Sequence, residues 1–208
     1  ASALYCFELD YYLPENTKAA PVRSLSVDGE LPFFEANSLS FPCAFRDKTE
    51  PSVNTLGDDI WPAQELLTGW RTCRLEDSNA HYDNCFEFYL KQGTHTIRLS
   101  FVKGDMYIHD FRLVAPKRTV SYAEVQQIYR GKGYSEAAVS DTLLFQAESS
   151  VAEKSDTAIR REYDSDPLSV PYSVANRRLN VLGGARWASG GQKLTLSFEV
   201  PEDGLYKI

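Results

Sequence analysis

Short segments of alternating apolar and polar residues, separated by glycine-containing turns, dominate the first 114 residues of the chain. The clearest is Thr94 to Val102, in which Ile97 and Leu99 flank Arg98. A period of two residues places alternate side chains on opposite faces of a strand. The pattern therefore predicts an all-β, antiparallel fold and argues against a helical bundle or a parallel α/β core.

The same pattern sets the expected strands. In the first part of the chain they are Leu4–Tyr12, Val22–Val27, Glu30–Glu35, Leu39–Phe45, Trp70–Leu75, Cys85–Leu90, Thr94–Val102 and Met106–Val114. The last three have the pattern of a meander, and regularly spaced short strands indicate a sandwich. Further strands are expected at Thr142–Glu148, Leu179–Leu182 and Gln192–Val200. The C-terminal part is too short to close a sandwich alone.

Two segments interrupt the strand pattern. Residues 47–68 are rich in Pro, Gly, Asn and acidic residues without periodicity, which predicts a long loop that is a candidate for function. Ser121 and Glu124 form a capping box that predicts a short helix to about Tyr129, inside a linker of residues 118–141. The chain therefore divides into residues 1–117, the helical linker, and residues 142–208.

The composition argues against some functions but does not decide whether the cysteines form disulfide bonds. The net charge of −7 argues against nucleic acid as a partner, because phosphate binding needs clustered Lys and Arg. No apolar run approaches the roughly 20 residues of a membrane-spanning helix. The four cysteines allow three pairings, and sequence alone distinguishes neither among these nor between disulfides and buried free thiols.

The two ends of the chain look alike. Ala3-Leu4-Tyr5 near the start and Gly204-Leu205-Tyr206 near the end both place a small residue before Leu-Tyr and strand-type alternation. We expect from this similarity that the chain is a fragment of a protein with a repeated domain, holding the back of one copy and the front of the next.

Several motifs resemble those of carbohydrate-binding modules of families 6 and 35. Phe145-Gln146-Ala147-Glu148, Trp187 and the stretch Leu194 to Tyr206 resemble the opening half of such a module. Gly93 to Leu99 and Ile108 to Leu113 resemble its closing half. More narrowly, the chain is similar to regions attached to extracellular solute-binding proteins of Gram-positive sugar ABC transporters. The resemblance implies a galactose-binding-like jelly-roll β-sandwich.

The resemblance also raises a question of topology, because the closing half precedes the opening half. Residues 1–117 are the expected closing half and residues 142–208 the expected opening half. Either each half belongs to a separate neighbouring domain, or residues 142–208 fold back and complete the first sandwich. Both alternatives remain open on the sequence.

Modules of this kind often carry a structural calcium ion. The matching positions are Glu148 and Asp110, which are the metal ligands that the resemblance implies. Calcium prefers six to eight oxygen ligands, and Gln146 replaces the first acidic residue of the usual pattern. The alternative is that both carboxylates are ordinary surface or strand-end groups.

Sugar binding uses aromatic rings that stack on the C–H faces of a pyranose, with polar side chains for the hydroxyl groups. The candidates are aromatic residues in irregular segments or near strand ends: Trp61, Tyr82, Tyr107 and Trp187. Each could instead be a packed residue. Trp70 lies within an expected strand and is predicted to belong to the core, as are Tyr5, Phe86 and Phe88.

The expected function is that of a non-catalytic, extracellular carbohydrate-binding accessory region of a sugar-transport solute-binding protein. Its partners would be an oligosaccharide or cell-wall glycan and, through the parent protein, the membrane permease at the cell surface. The alternatives are a structural spacer without a ligand and a targeting module of a glycoside hydrolase. No nucleophile elbow, dinucleotide fingerprint or phosphate-binding loop is present in the sequence, so no enzymatic activity is expected.

Overall fold

The structure is a computed structural model that describes residues 2–136 and 142–208. In chain order, its strands are β1 (Ala3–Tyr12), β2 (Val22–Val27), β3 (Leu39–Ser40), β4 (Phe45–Asp47), β5 (Ser52–Val53), β6 (Asp59–Ile60), β7 (Gln64–Leu66), β8 (Trp70–Arg74), β9 (Phe88–Leu90), β10 (Ile97–Lys103), β11 (Tyr107–Val114), β12 (Val151–Lys154), β13 (Arg161–Glu162), β14 (Val181–Leu182) and β15 (Leu194–Leu196). Helix α1 spans Tyr122–Gly131, and short 3-10 helices span Phe34–Asn37, Ala147–Ser149 and Gly184–Arg186.

Two antiparallel sheets enclose the main core. The front sheet has the order β11-β1-β8, with β9 pairing the first residues of β1, and the back sheet has the order β10-β2-β3. Phe7, Leu9 and Tyr11 of β1 pack in one buried cluster with Leu25 and Leu39 of the back sheet. The expectation of an all-β fold with sandwich-like character is therefore confirmed.

Strand β1 alternates between side chains that face the core and side chains that face the outside of the front sheet. Phe7, Leu9 and Tyr11 are almost fully buried, whereas Asp10 and Tyr12 lie on the outer face of the front sheet. Burying these large side chains supplies the main driving force for closing the two sheets, at about 1.5–3 kcal/mol per aliphatic or Phe side chain.

A disulfide bond joins Cys6 of β1 to Cys85, which is 79 positions away in sequence, and the two Cα atoms are 6.2 Å apart. Cys43 and Cys73 remain free thiols. The structure therefore selects one disulfide among the arrangements that the sequence left open.

The C-terminal part shares a sheet with the N-terminal part. The order of this third sheet is β15-β12-β4-β7, and Lys154 of β12 pairs with Phe45 of β4. Strand β15 pairs with β12 directly and reaches β4 only through it. Among residues 2–136 and 142–208, the two remaining sheets are the two-stranded pairs β13-β14 and β5-β6.

Two of the expected strands are absent from the described residues. Residues 30–35 do not form a strand: Glu30 only bridges Val27 across a tight turn, and Pro32, which has no N–H, lies two residues further along. Residues 142–148 contain no strand and end in the 3-10 helix Ala147–Ser149. The run Leu143-Leu144-Phe145 has no two-residue alternation to support a half-buried strand.

The predicted meander is also incorrect. Strands β9 and β11 both pair with β1, whereas β10 between them pairs with β2 of the back sheet. An alternation with a period of two residues predicts a strand but not the strand with which it pairs. Here the chain passes from the front sheet (β9) to the back sheet (β10) and returns to the front sheet (β11).

Helix α1 confirms the prediction made from the capping box, in which the Ser121 side chain accepts from the Glu124 N–H and the Glu124 side chain accepts from the Ser121 N–H. Residues 137–141 of the expected linker lie outside the described residues. Among those described, no helix is both long enough and apolar enough to cross a membrane.

Candidate functional site

An aromatic row crosses the outer face of the front sheet. Tyr12 of β1 lies opposite Trp70 of β8 and Tyr107 of β11 in the strand register. The Tyr12 ring centroid is 5.8 Å from that of Trp70 and 6.1 Å from that of Tyr107. Trp70 is 57% exposed, so much of its ring faces solvent although it lies in a strand.

A β-bulge next to this row brings polar groups together. Leu9 pairs with Phe111 and Tyr11 pairs with Ile108, so that His109 and Asp110 together oppose Asp10. An extra residue in one strand re-aims its side chains. Asp10, His109 and Asp110 consequently hold one side-chain ligand atom each within 4.8 Å of one another.

Asp10 is fixed by both neighbouring strands. Its carboxylate accepts a hydrogen bond from Thr72 Oγ1 of β8 at 2.6 Å and one from Arg112 Nη1 of β11 at 3.0 Å. A second bond, from Arg112 Nη2 to the other carboxylate oxygen, makes the Arg112 contact bidentate. This network holds the position of Asp10 at the centre of the outer face.

Beside this network lies a groove with a volume of about 340 Å³. Its walls are formed by Asp10, Trp70, Arg71, Thr72, His109 and Asp110. The His109 ring meets the Trp70 ring edge-on with centroids 5.4 Å apart, and His109 Nδ1 lies 2.9 Å from Asp110 Oδ2. The groove therefore combines an exposed aromatic face with carboxylate, hydroxyl and imidazole groups.

The electrostatics of the groove favour a permanently ionised carboxylate. The bonds from Arg112, followed by the bond from Thr72, lower the pKa of Asp10 to about 2. A carboxylate with this pKa is a hydrogen-bond acceptor at neutral pH and holds no proton to donate. The groove can therefore accept hydrogen bonds from hydroxyl groups of a ligand through Asp10.

The described residues do not fit the calcium site that the resemblance implies. Asp110 lies beside Asp10 and His109, whereas Glu148 is buried in the 3-10 helix Ala147–Ser149 and does not belong to this group. Arg112 already pairs with Asp10 and its Nη2 lies 3.9 Å from Asp110. A guanidinium at this position competes with a hard cation that needs six to eight oxygens.

The four predicted ligand-binding aromatics lie in different places. Tyr107 belongs to the aromatic row, where its side chain is exposed. Trp61 lies between β6 and β7, because residues 47–68 contain three short strands where the sequence predicted a long loop, and it lines a second pocket described below. The Tyr82 hydroxyl donates to Glu35 at 3.2 Å, and Trp187 follows the 3-10 helix Gly184–Arg186. Only Tyr107 of the four contributes to the outer face of the front sheet.

Sequence reasoning missed most of the groove, and the assignment of Trp70 to the core is wrong. The alternation along β8 could have predicted the exposure of Trp70. Trp70 and Thr72 are two residues apart and so lie on the same face of the strand, whereas Leu75 belongs to the opposite face and is buried. Asp10 offered a similar signal as the polar member of an alternating strand. The bulge that places both His109 and Asp110 opposite Asp10 has no such signature in the sequence.

Neither a protein-family model nor a curated protein nor a solved structure shows a significant match to this chain.

Proposed function

We propose that the groove on the front sheet binds an oligosaccharide or cell-wall glycan, and that the chain is a non-catalytic carbohydrate-binding region with a jelly-roll type of sandwich. The observation that carries the proposal is the exposed ring of Trp70 beside the ionised carboxylate of Asp10. A sugar ring offers C–H groups to an aromatic face and hydroxyl groups to polar side chains, and the groove presents both kinds of partner.

The polar residues of the groove have separate roles in this proposal. Asp110 and His109 are more than half exposed and are available to sugar hydroxyl groups. Asp10 is more enclosed and is held by Thr72 and Arg112, so it supplies a fixed acceptor. A binding site needs only a few such groups to set orientation.

Binding is favoured over hydrolysis by the protonation state of Asp10. A glycosidase needs one carboxyl group that holds a proton near neutral pH, which requires a raised pKa. The bidentate Arg112 contact lowers the pKa of Asp10 instead. Asp10 is therefore suited to accept hydrogen bonds and unsuited to protonate a leaving group.

An extracellular location is part of the proposal and is supported by the disulfide bond between Cys6 and Cys85. Disulfides persist in oxidising compartments and are rare in the cytosol. The transport context, with a solute-binding parent protein, its permease partner and attachment to the cell surface, rests on the motif resemblance alone.

A glycan array probed with the complete 208-residue chain tests the proposal. We expect binding to at least one class of glycan, and we expect Trp70→Ala to weaken it at least tenfold, which corresponds to about 1.4 kcal/mol. Trp187→Ala is the matched variant, because Trp187 has similar exposure and lies outside the groove. Equal losses in the two variants, or a loss in Trp187→Ala alone, would contradict the assignment of the site.

A structural spacer without a ligand is the second candidate. The observation that favours it is the set of contacts tying the C-terminal part to the N-terminal part, including the Arg71–Glu153 ion pair at 2.8 Å and the pairing of β12 with β4. A folded protein that remains silent across a broad glycan array would support this candidate instead.

A further inference from the structure

A second pocket lies where the segment from β4 to β7 meets the C-terminal part. It has a volume of about 180 Å³ and is lined by Asp47, Trp61, Pro62, Gln64, Thr157, Arg160 and Arg161. The Trp61 indole N–H donates to the Arg161 carbonyl oxygen at 2.8 Å, which fixes the ring across this junction. Trp61 remains 46% exposed and forms an aromatic wall of the pocket.

The guanidinium of Arg160 lies next to the Trp61 ring and lines the pocket, where a ligand can contact it. Its Cζ atom lies 4.7 Å from the centroid of the Trp61 ring, and its Nε donates to Glu162 at 3.0 Å. Within residues 2–136 and 142–208, neither terminal nitrogen of Arg160 has a hydrogen-bond acceptor. The terminal nitrogens of a guanidinium form a fork that matches the two oxygens of a carboxylate.

Arg161, which lines the pocket, and Lys154 add positive charge around Asp47. Both are at least nine-tenths buried, and both face Asp47, which accepts from Lys154 Nζ at 2.7 Å. The Arg161 Nε lies 3.4 Å from Asp47 Oδ2 and has no hydrogen-bond acceptor among the described residues. The other partner of Arg161 is Glu50, which is 80% exposed.

The cluster around the pocket has more cations than carboxylates. Lys154, Arg160, Arg161 and Arg186 are the cations. The carboxylates are Asp47, Glu50 and Glu162. Glu162 accepts from Arg160 at Nε, so the terminal nitrogens of Arg160 remain available for a further anion.

We propose that this pocket binds a carboxylate group, either free or carried on a sugar ring. The carboxylate would take the terminal nitrogens of Arg160, with the charge of Arg161 behind it. The ring that carries the carboxylate would lie toward Trp61. This site is separate from the groove on the front sheet and goes beyond the function proposed above.

Titrations followed by NMR, at constant ionic strength, test this proposal on the complete chain. The probes are sodium D-glucuronate, D-glucose and sodium acetate, and the readout is the indole N–H signal of Trp61. The chain has three tryptophans, so each signal is assigned by substitution. We expect a saturable shift with glucuronate, no shift with glucose, and at least a tenfold weaker response in Arg160→Gln.

The control is Arg98→Gln, which makes the same charge change on an exposed position of β10 outside the pocket. Its response to glucuronate should equal that of the unaltered chain. A shift with acetate that matches glucuronate identifies the free carboxylate as the recognised group, whereas a shift with glucuronate alone shows that the ring is also needed. Equal responses to glucose and glucuronate, no response to either carboxylate, or equal losses in Arg160→Gln and Arg98→Gln would overturn the proposal.

The same experiment separates this site from the front-sheet groove. Trp70→Ala removes the main aromatic wall of the groove and should leave the Trp61 response to glucuronate unchanged. A Trp61 response that disappears in Trp70→Ala would contradict an independent pocket, whatever the glycan array shows for the groove.

Discussion

At the scale of the residue, Asp10 connects the fold to the candidate site. Its carboxylate receives bonds from Thr72 of β8 and Arg112 of β11, and therefore ties the three main strands of the front sheet together. The same carboxylate faces the groove beside Trp70. The hydrogen bonds from Thr72 and Arg112 therefore set both the position of the Asp10 carboxylate and its pKa.

The pKa of Asp10 gives a prediction for Arg112→Gln. The folded-state pKa of about 2 lies below the ordinary value of 3.8, so its contribution to stability is fully present above pH 3.8 and is lost as pH falls toward 2. We expect Arg112→Gln to raise this pKa toward 3.8 and to remove that pH dependence of the free energy of unfolding. NMR titration of the Asp10 carboxyl carbon measures the pKa directly, and urea denaturation between pH 2 and pH 5 checks the stability.

Arg98→Gln serves again as the matched variant, since Arg98 is exposed on β10 and takes no part in the Asp10 network. Its Asp10 midpoint should stay where it is in the unaltered chain. If Arg112→Gln leaves that midpoint in place as well, then Arg112 does not control the ionisation of Asp10.

Individual residues also show what sequence patterns can predict. The parity of an alternating strand is visible in the sequence, so the outward position of Asp10 and the burial of Phe7 and Leu9 follow from it. Trp70 lies within an expected strand, and that position alone led to the wrong assignment of its exposed side chain to the core. The alternation of β8, which places Trp70 on the same side of the strand as Thr72, predicts its exposure better than strand membership does.

At the scale of the element, β1 is the strand on which the site depends. It pairs with β8 over residues 8–12, with β11 over residues 6–12 and with β9 over residues 3–5. The disulfide bond from Cys6 anchors β1 to the segment that precedes β9. Boundaries such as Val22–Val27 agree with the sequence pattern, but strand partners do not follow from it, because pairing depends on contacts between distant residues.

The disulfide bond leads to a prediction on thiol chemistry and stability. Burial raises the pKa of Cys43 to about 11 and that of Cys73 to about 12, so both thiols are protonated and unreactive in the folded chain. Mass spectrometry after alkylation should find no labelled cysteine in the native protein, two after denaturation, and four after denaturation with reduction.

Replacing Cys6 and Cys85 together by Ala should lower the free energy of unfolding by about 2–5 kcal/mol, because the bond restricts a long loop of the unfolded chain. Urea denaturation measures the change. Four labelled cysteines in the denatured, unreduced protein would show that the bond is absent.

At the scale of the whole molecule, a charged junction joins the two parts of the chain. Strand β12 pairs with β4, and the buried Lys154 pairs with Asp47 at 2.7 Å. Arg71 of the front sheet pairs with Glu153 on the same strand, β12. These contacts join residues more than 80 positions apart, and nothing in the local pattern of the sequence predicts them.

Asp47 should be the most sensitive residue of this junction. Asp47→Asn removes the negative charge from between Lys154 and Arg161, and leaving a buried charge without its partner costs about 3–5 kcal/mol. Glu50→Gln is the matched variant, because Glu50 is 80% exposed and an exposed ion pair contributes about 0–1 kcal/mol. Chemical denaturation measures both values, and a cost in Asp47→Asn no larger than that in Glu50→Gln would contradict a stabilising role for the junction.

The resemblance to carbohydrate-binding modules predicted the all-β fold but located few of the site residues. The proposed groove depends on cross-strand neighbours from β1, β8 and β11, which lie far apart in the sequence. Of the predicted metal ligands, Asp110 lies in the groove and Glu148 lies elsewhere. Motif matching assigns residues one at a time, whereas a site on a sheet face requires the register of three strands.

The most direct test of the account is an NMR titration of the complete chain with the glycan that gives the strongest array signal. We predict shifts of the Trp70 indole N–H and of the backbone amides of Thr72, His109 and Asp110, with the surroundings of Trp187 unchanged. Shifts that leave β8 and β11 unaffected and lie elsewhere in the chain would contradict the claim that the outer face of the front sheet binds the ligand.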